Sequence, residues 1–201
     1  GKIYQQRYER GKPVTDLKVI GSTNNTGTKI TFKPDSEIFD ELEYSFEVLE
    51  HRLRELAFLN KGIRITLKDE RNDIEKTFQY EGGIVSFVKY LNKNREVLHK
   101  EPIYFEAKKD DIDVEIALQY NDGFTESIYS FANNINTLEV GSHASGFKTA
   151  VTKVINDYAR KYKFLKDNDA NLIGEDVREG MSCVISVKLA DPQFEGQTKT
   201  K

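Results

Sequence analysis

The sequence carries one cysteine, Cys183, in 201 residues. An internal disulfide is therefore excluded and a reducing compartment is expected. Three histidines, His51, His99 and His143, stand far apart with no close His or Cys partner, so zinc has no ligand set at its usual spacing. No apolar run approaches the roughly 20 residues of a membrane span. The polar first residues do not read as a signal peptide, and the expected setting is the cytoplasm with no membrane partner. Charge of one sign is missing too: 30 Lys and Arg face 33 Asp and Glu. Any contact with nucleic acid must then come from a local patch. There is no Walker loop, no Gly-x-Gly-x-x-Gly and no Gly-x-Ser-x-Gly elbow. The acidic pairs at 110–111 and 167–169 do not continue into a calcium loop. No internal repeat, low-complexity segment or heptad array is present.

What remains is a wet, globular pattern with 38% hydrophobic and 31% charged residues, long enough to bury a core as one or two domains. Residues 2–33 read as antiparallel strands, with Gly11-Lys12-Pro13 as a turn, a turn-rich stretch at 21–28 and a strand at 29–33. Pro34-Asp35-Ser36 ends this sheet segment and can cap a short helix. Steps of three and four predict a helix over 45–60, with Phe46, Leu49, Leu53, Leu56 and Asn60 inward and Glu47, Glu50 and Glu55 on the charged face. A hairpin follows at 63–80, and Glu81-Gly82-Gly83 marks a boundary. A short helix holds Ile84, Phe87, Val88 and Leu91. Strands are expected at 103–107, 113–120 and 128–135. A helix over 147–162 would turn Ala150, Val151, Val154, Ile155, Tyr158 and Ala159 inward. A short helix over 174–180 and a strand over 182–189 close the pattern. The fold class is α+β. Both ends run straight out of strand or loop pattern, so a piece of a longer protein is expected.

Four features bear on chemistry. Cys183 alternates with Ile185, Val187 and Leu189, which assigns it to a core face rather than to a nucleophile. Thr26-Gly27-Thr28 and the glycines at 141–146 can offer N–H groups or hydroxyls to a nucleotide, or serve as plain turns. On the 147–162 helix and just past its end, Lys148, Lys153, Arg160, Lys161 and Lys163 outnumber Asp157. That face suits DNA phosphates or simple solvation. Finally, Gln197-Thr198-Lys199 sits in a polar closing stretch. An ammonium follows phosphate oxygens as a flexible point charge, although such a tail taken alone reads first as a solvated loop.

The order of certain blocks carries more than any of these singly. They are Pro13-Val14-Thr15-Asp16-Leu17, Thr26-Gly27-Thr28, Arg52-Leu53-Arg54-Glu55-Leu56-Ala57-Phe58-Leu59-Asn60-Lys61-Gly62, Tyr80-Glu81-Gly82-Gly83 and Glu101-Pro102-Ile103-Tyr104. Val114-Glu115-Ile116-Ala117-Leu118-Gln119-Tyr120-Asn121, Asn133-Asn134-Ile135-Asn136-Thr137 and Asn156-Asp157-Tyr158-Ala159-Arg160 follow. Glu175-Asp176-Val177-Arg178-Glu179-Gly180 and Phe194-Glu195-Gly196-Gln197-Thr198-Lys199 end the series. In this order they resemble the B subunits of bacterial type II DNA topoisomerases, DNA gyrase foremost and topoisomerase IV next.

The resemblance implies that residues 1–82 are the C-terminal part of a GHKL-type ATPase domain. Residues 83–201 would then be the start of a transducer of ribosomal-protein type. It implies ATP and Mg2+ as cofactors, with most of their ligands in parts of the family pattern that precede Gly1. On this pattern Thr28 helps hold the adenine, and Lys199 and Gln197 serve the γ-phosphate and charge stabilisation during hydrolysis. Lys148 is the candidate that faces DNA. The partners implied are DNA, the gyrase A subunit, and a second B subunit in a heterotetramer. The activity implied for the whole protein is ATP-driven double-strand passage, while the chain alone is expected neither to hydrolyse ATP nor to cut DNA. Topoisomerase IV (decatenation) and a non-enzymatic nucleic-acid-binding module are the alternatives. One departure stands out: Val140-Gly141-Ser142-His143-Ala144 replaces the family's Gly-Gly-Thr-His-Glu, so no role is carried over to that turn.

Overall fold

The computed structural model describes residues 1–137 and 141–194. The chain divides into two compact units, Gly1–Ser45 and Phe46–Lys201. In the first, β1 (Lys2–Gln5) pairs antiparallel with β4 (Lys18–Ser22), with a register shift between Ile3 and Tyr4. Between them β2 (Tyr8–Glu9) and β3 (Lys12–Pro13) form a hairpin. Its two-residue loop, Arg10-Gly11, has φ of 48° and 79°, the double positive φ of a turn whose twist matches the strands. Asp35 accepts the Glu37 N–H at 3.0 Å and pairs with Arg10 Nε at 2.5 Å. It caps a turn, and no helix follows.

The strand expected at 29–33 is absent. Its alternation is real, but no strand among the described residues supplies a ladder for it, and Ile30 and Phe32 stand 81% and 73% exposed. Alternation marks which side chains share a face. A strand also needs a neighbour to take its N–H and C=O groups.

The second unit opens with α1 (Phe46–Leu59), the hairpin β5 (Ile65–Asp69) and β6 (Ile74–Phe78), and α2 (Gly83–Leu91). Then come β7 (Ile103–Lys109), β8 (Ile112–Tyr120), β9 (Ser127–Ala132), β10 (Ile135–Asn136), α3 (Ser142–Lys161), α4 (Gly174–Arg178) and β11 (Met181–Lys188). The sheet order is β10-β9-β11-β8-β7, with β11 antiparallel to β8 and parallel to β9. As the central strand, β11 is buried at seven of its eight residues. Its alternation feeds two cores. Cys183, Ile185 and Val187 meet Ile116 and Leu118 of β8 and Ala144 and Phe147 of α3. Val184, with Ala117 of β8 and Phe131 of β9, meets Phe58 and Leu59 of α1 and Ile84, Phe87 and Val88 of α2. Each Val, Leu, Ile or Phe side chain among these contributes about 1.5–3 kcal/mol when taken from water. Cys183 is in the core, and burial pushes its thiol well above the usual range.

Two helices depart from their expected faces. In α1 the end of the helix is buried nearly all round, at Ala57, Phe58 and Leu59, and so is Glu55. Glu55 is not solvated: Arg52 Nη1 lies at 3.1 Å and His51 Nε2 at 3.3 Å from its carboxylate. In α3 the helix starts at Ser142, ahead of the expected 147, so Gly146 is helical. Its inward stripe runs Ala144, Phe147, Val151 and Ala159, while Ala150, Val154 and Tyr158 face solvent. Two adjacent apolar rows share this helix, and Phe147, sequence-adjacent to glycine, decides which one packs.

Candidate functional site

The sheet's last turns bring α3, α4 and the β9 approach together. Glu126, just ahead of β9, bonds Lys148 Nζ of α3 with one carboxylate oxygen and takes Arg178 Nε of α4 on the other at 2.5 Å. All three side chains are partly buried, at 27%, 27% and 16% exposure for Glu126, Lys148 and Arg178. Burial pushes the Glu126 carboxyl up. The hydrogen bonds and charges of Lys148 and Arg178 outweigh this and hold it below the usual carboxylate range. Beside them lies a cleft of 670 Å³ whose walls include Ser145, Lys148, Thr152, Lys153, Asn171 and Arg178.

The loop that closes this cleft is tied to α3 by amide and guanidinium groups. Asn156, buried on the helix, donates to Leu172 O at 2.9 Å and accepts the Leu172 N–H at 2.8 Å. Arg160 donates through Nη1 to Lys166 O at 3.0 Å, through Nη2 to Asp169 O at 2.8 Å and through Nε to Asn171 Oδ1 at 2.9 Å. Of the basic residues counted along this helix, Arg160 is therefore a loop anchor, and Lys148 is half-buried and ion-paired.

At the opposite end of β11 a second arrangement bears on the closing stretch. Asn133 and Asn134 occupy the β9–β10 turn with φ of 47° and 65°, a conformation asparagine tolerates better than most residues. Asn133 then acts as an extra rung of the sheet: Nδ2 donates to Leu189 O at 2.8 Å, and Oδ1 accepts the Leu189 N–H at 2.9 Å. Asn134 donates to Asn60 Oδ1 at 3.1 Å, and its carbonyl accepts Arg52 Nη2 at 2.7 Å. The end of β11 is thus fastened, through one turn, to the middle and the C-terminal end of α1. A 390 Å³ cleft lined by Asp111, Asp113, Asn133, Asn134 and Lys188 opens there.

His143 fills the space at the start of α3. Its Nε2 lies 3.1 Å from Ser130 Oγ, and a Cβ on Gly141 would meet the ring at 2.6 Å. Burial pushes its pKa down. This imidazole is a packed, hydrogen-bonded group whose Ser130 and Thr137 partners belong to β9 and to the segment after β10. No group of three or more His, Cys, Asp or Glu suited to a metal occurs among the described residues.

Of the residues singled out from the sequence, Thr28 lies in the first unit on an exposed, irregular stretch. Lys148 lies in the second unit at the cleft. Gln197, Lys199 and Val140 lie outside the described residues. Sequence reasoning missed Glu126 and Arg178 as Lys148's companions, although Arg178 stands in the Glu175–Gly180 block. It also missed Asn133 as the clamp on Leu189.

Comparison with known proteins bears on the whole chain. The DNA gyrase B protein of Clostridium acetobutylicum is 61% identical over 202 residues, a match that covers 100% of this chain and 32% of that protein. The chain thus spans about a third of that curated relative's length. The 43K ATPase domain of Thermus thermophilus gyrase B, solved with an aminocoumarin, superposes with a TM-score of 0.82 at 35% identity, covering 98% of this chain and 54% of that one. The topoisomerase IV ATP-binding domain of Francisella tularensis, solved with a small-molecule inhibitor, reaches 0.76 at 26% identity over 100% of this chain and 55% of that one. The α+β architecture is that of the gyrase B ATPase domain. A family model described as DNA gyrase B matches residues 83–201, the stretch that holds the five-stranded sheet and the cleft; with the identities over the full length, this means that the chain belongs to the DNA gyrase B family.

Proposed function

We propose that the chain is the part of a gyrase ATPase subunit in which the nucleotide site meets the element that transmits its state to DNA. Residues 1–82 are the C-terminal part of the GHKL-type ATPase domain and 83–201 the start of the transducer. The observation that carries this reading is 61% identity to a gyrase B protein across the whole chain, with a family match that begins at residue 83. The exposed Ile30 and Phe32 of the first unit fit a segment whose apolar face belongs to a larger sandwich. The whole protein acts in ATP-dependent double-strand passage on DNA. It does so in the cytoplasm, in a heterotetramer of two B subunits with gyrase A subunits. Identities of 61%, 56% and 55% to gyrase B proteins of three bacteria over the whole chain favour supercoiling over decatenation.

ATP is the nucleotide, bound with Mg2+, and supplies the phosphoryl group whose transfer to water drives the cycle. Thr28 offers a hydroxyl to the adenine edge from an exposed stretch of the first unit. Lys199 places an ammonium at the γ-phosphate and Gln197 an amide beside it. Both act on charge that grows in the transition state, where a fixed donor is worth more than in water. The fastening of Leu189 by Asn133, and of the neighbouring Asn134 to α1, gives the segment leading to Lys199 a rigid root.

The test is Lys199→Ala in the full-length protein together with its partner. Steady-state ATP turnover should fall by about 10²–10³-fold in kcat, with nucleotide KM changed by less than about threefold. Thr28→Ala should do the reverse, raising KM with kcat kept. Wild-type turnover in Lys199→Ala would remove the assigned role.

A further inference from the structure

The lining of the cleft between α3 and α4 holds three cations, Lys148, Lys153 and Arg178, and one carboxylate, Asp157. The hydroxyls of Thr149 and Thr152 are already used, donating to Ser145 O at 3.1 Å and Lys148 O at 2.9 Å. Thr152 Oγ1 in turn accepts from Arg178 Nη1 at 3.5 Å. Lys153 on the same wall makes no ion pair among the described residues, and Asp157 is the opposing charge in the lining. Arg178 is laid across Gly174, where a Cβ would meet Nη1 at 2.4 Å, so its guanidinium rests in place on a residue without a side chain. One carboxylate, Glu126, faces two cations, one at each oxygen. The cluster therefore keeps a net positive charge, on groups held ready and only partly neutralised.

We propose that this cleft is a phosphodiester-binding site for duplex DNA, in which Arg178 joins Lys148 as a phosphate contact and Glu126 is the internal competitor that holds both cations until DNA displaces it. The proposal rests on the reading of Lys148 as DNA-facing. Its physical content is an exchange. A duplex brings successive phosphates, so each cation can trade half of a shared carboxylate for a phosphate of its own, and the released counterions drive the trade. The guanidinium adds a planar fork that matches phosphate oxygens, which an ammonium cannot do. Glu126 keeps the cations from pairing with small anions and sets the salt concentration at which DNA is released.

The experiment measures binding of a fluorescein-labelled 30-base-pair duplex to the 201-residue chain by anisotropy across a salt series. Glu126→Gln keeps the shape and removes the charge. It should bind tighter across the whole series, with a log–log salt slope close to the wild type's, because the same two cations meet phosphates in both. Glu126→Asp, which reaches the two cations less well, should fall between and serves if Glu126→Gln melts early in a thermal scan. Lys148→Met and Arg178→Met should each flatten the wild-type slope. Weaker binding by Lys148→Met with unchanged or weaker binding by folded Glu126→Gln would overturn the competitor role and leave the DNA-facing reading intact. No change in any of the variants would remove that reading and the proposal together. A gain for polyphosphate without a gain for the duplex would also overturn it, by making the cleft a general anion site.

Discussion

Replacing Phe58 with alanine removes the side chain on which α1 is held to the rest of its unit. Phe58 is 1% exposed. Its ring stacks on Tyr80 at 3.7 Å between centroids and on Phe87 at 4.8 Å, with planes 19° and 6° apart, and Tyr90 leans against it at 5.6 Å. Truncating a buried phenylalanine costs about 3–5 kcal/mol through lost transfer energy and the cavity left behind. Three aromatic neighbours place this site toward the upper end, since each pair adds about 0.5–1.5 kcal/mol beyond area. Against a domain stability of about 5–15 kcal/mol, that is a third of the total or more. At about 2–4 °C per kcal/mol for a chain of this size, the melting temperature should drop by roughly 6–20 °C. Differential scanning calorimetry with urea melts reads it directly, and Phe58→Leu should recover most of the loss because it nearly conserves volume. A loss below about 1 kcal/mol would refute the reasoning, since it would mean that the stack closes over the gap and does not fix α1.

Two further outcomes follow from the same packing arguments. Gly180→Ala should cost roughly 2–5 kcal/mol: φ is +68°, and the new Cβ would lie 2.5 Å from Asn121 O and 2.7 Å from Gly123 O, both backbone atoms that cannot swing away; an unshifted urea midpoint would show that the turn relaxes freely. For His143, burial lowers the folded pKa below the unfolded one near 6.5. As pH falls below that value the unfolded chain takes up a proton that the folded chain refuses, so stability drops with falling pH. His143→Gln should flatten this slope in urea melts between pH 7 and pH 5, and parallel slopes in the two proteins would count against it.

How much of this was legible depends on where the deciding partner lies. Strands β8 and β11 were read closely because alternation over eight or nine residues fixes both type and face. Helix α2 was read for the same reason, with Ile84, Phe87 and Val88 falling on one side. The strand at 29–33 failed because a ladder needs a second strand, which no local pattern supplies. The α3 face was misassigned because Val151 and Ala159 run beside Ala150, Val154 and Tyr158. Only Ala144 and Phe147, ahead of the expected start or at it, tell the two rows apart. Asn156 took an inward position that an apolar pattern would have denied it, since its amide closes the loop at Leu172.

Charge was the least legible property, and for a reason that generalises within this fold. Counted along α3 and its end, five basic residues against Asp157 suggest a uniform cationic face. In three dimensions Arg160 is committed to the carbonyls of residues 166 and 169, and Lys161 lies over the Tyr162 ring at 5.4 Å. Lys148 is held by a carboxylate 22 positions earlier in the chain, and the cation that shares it, Arg178, lies 52 positions beyond that carboxylate. Neither of these ion-pair partners is within a helical turn of the charge it modifies, so no count along one helix could find them. The same separation gives the arrangement its use. Charges paired across segments from β9, α3 and α4 respond together to any shift of the sheet beneath them. A cationic patch whose strength is set by Glu126 can therefore be coupled to the state of the fold, where a solvated row of lysines could not.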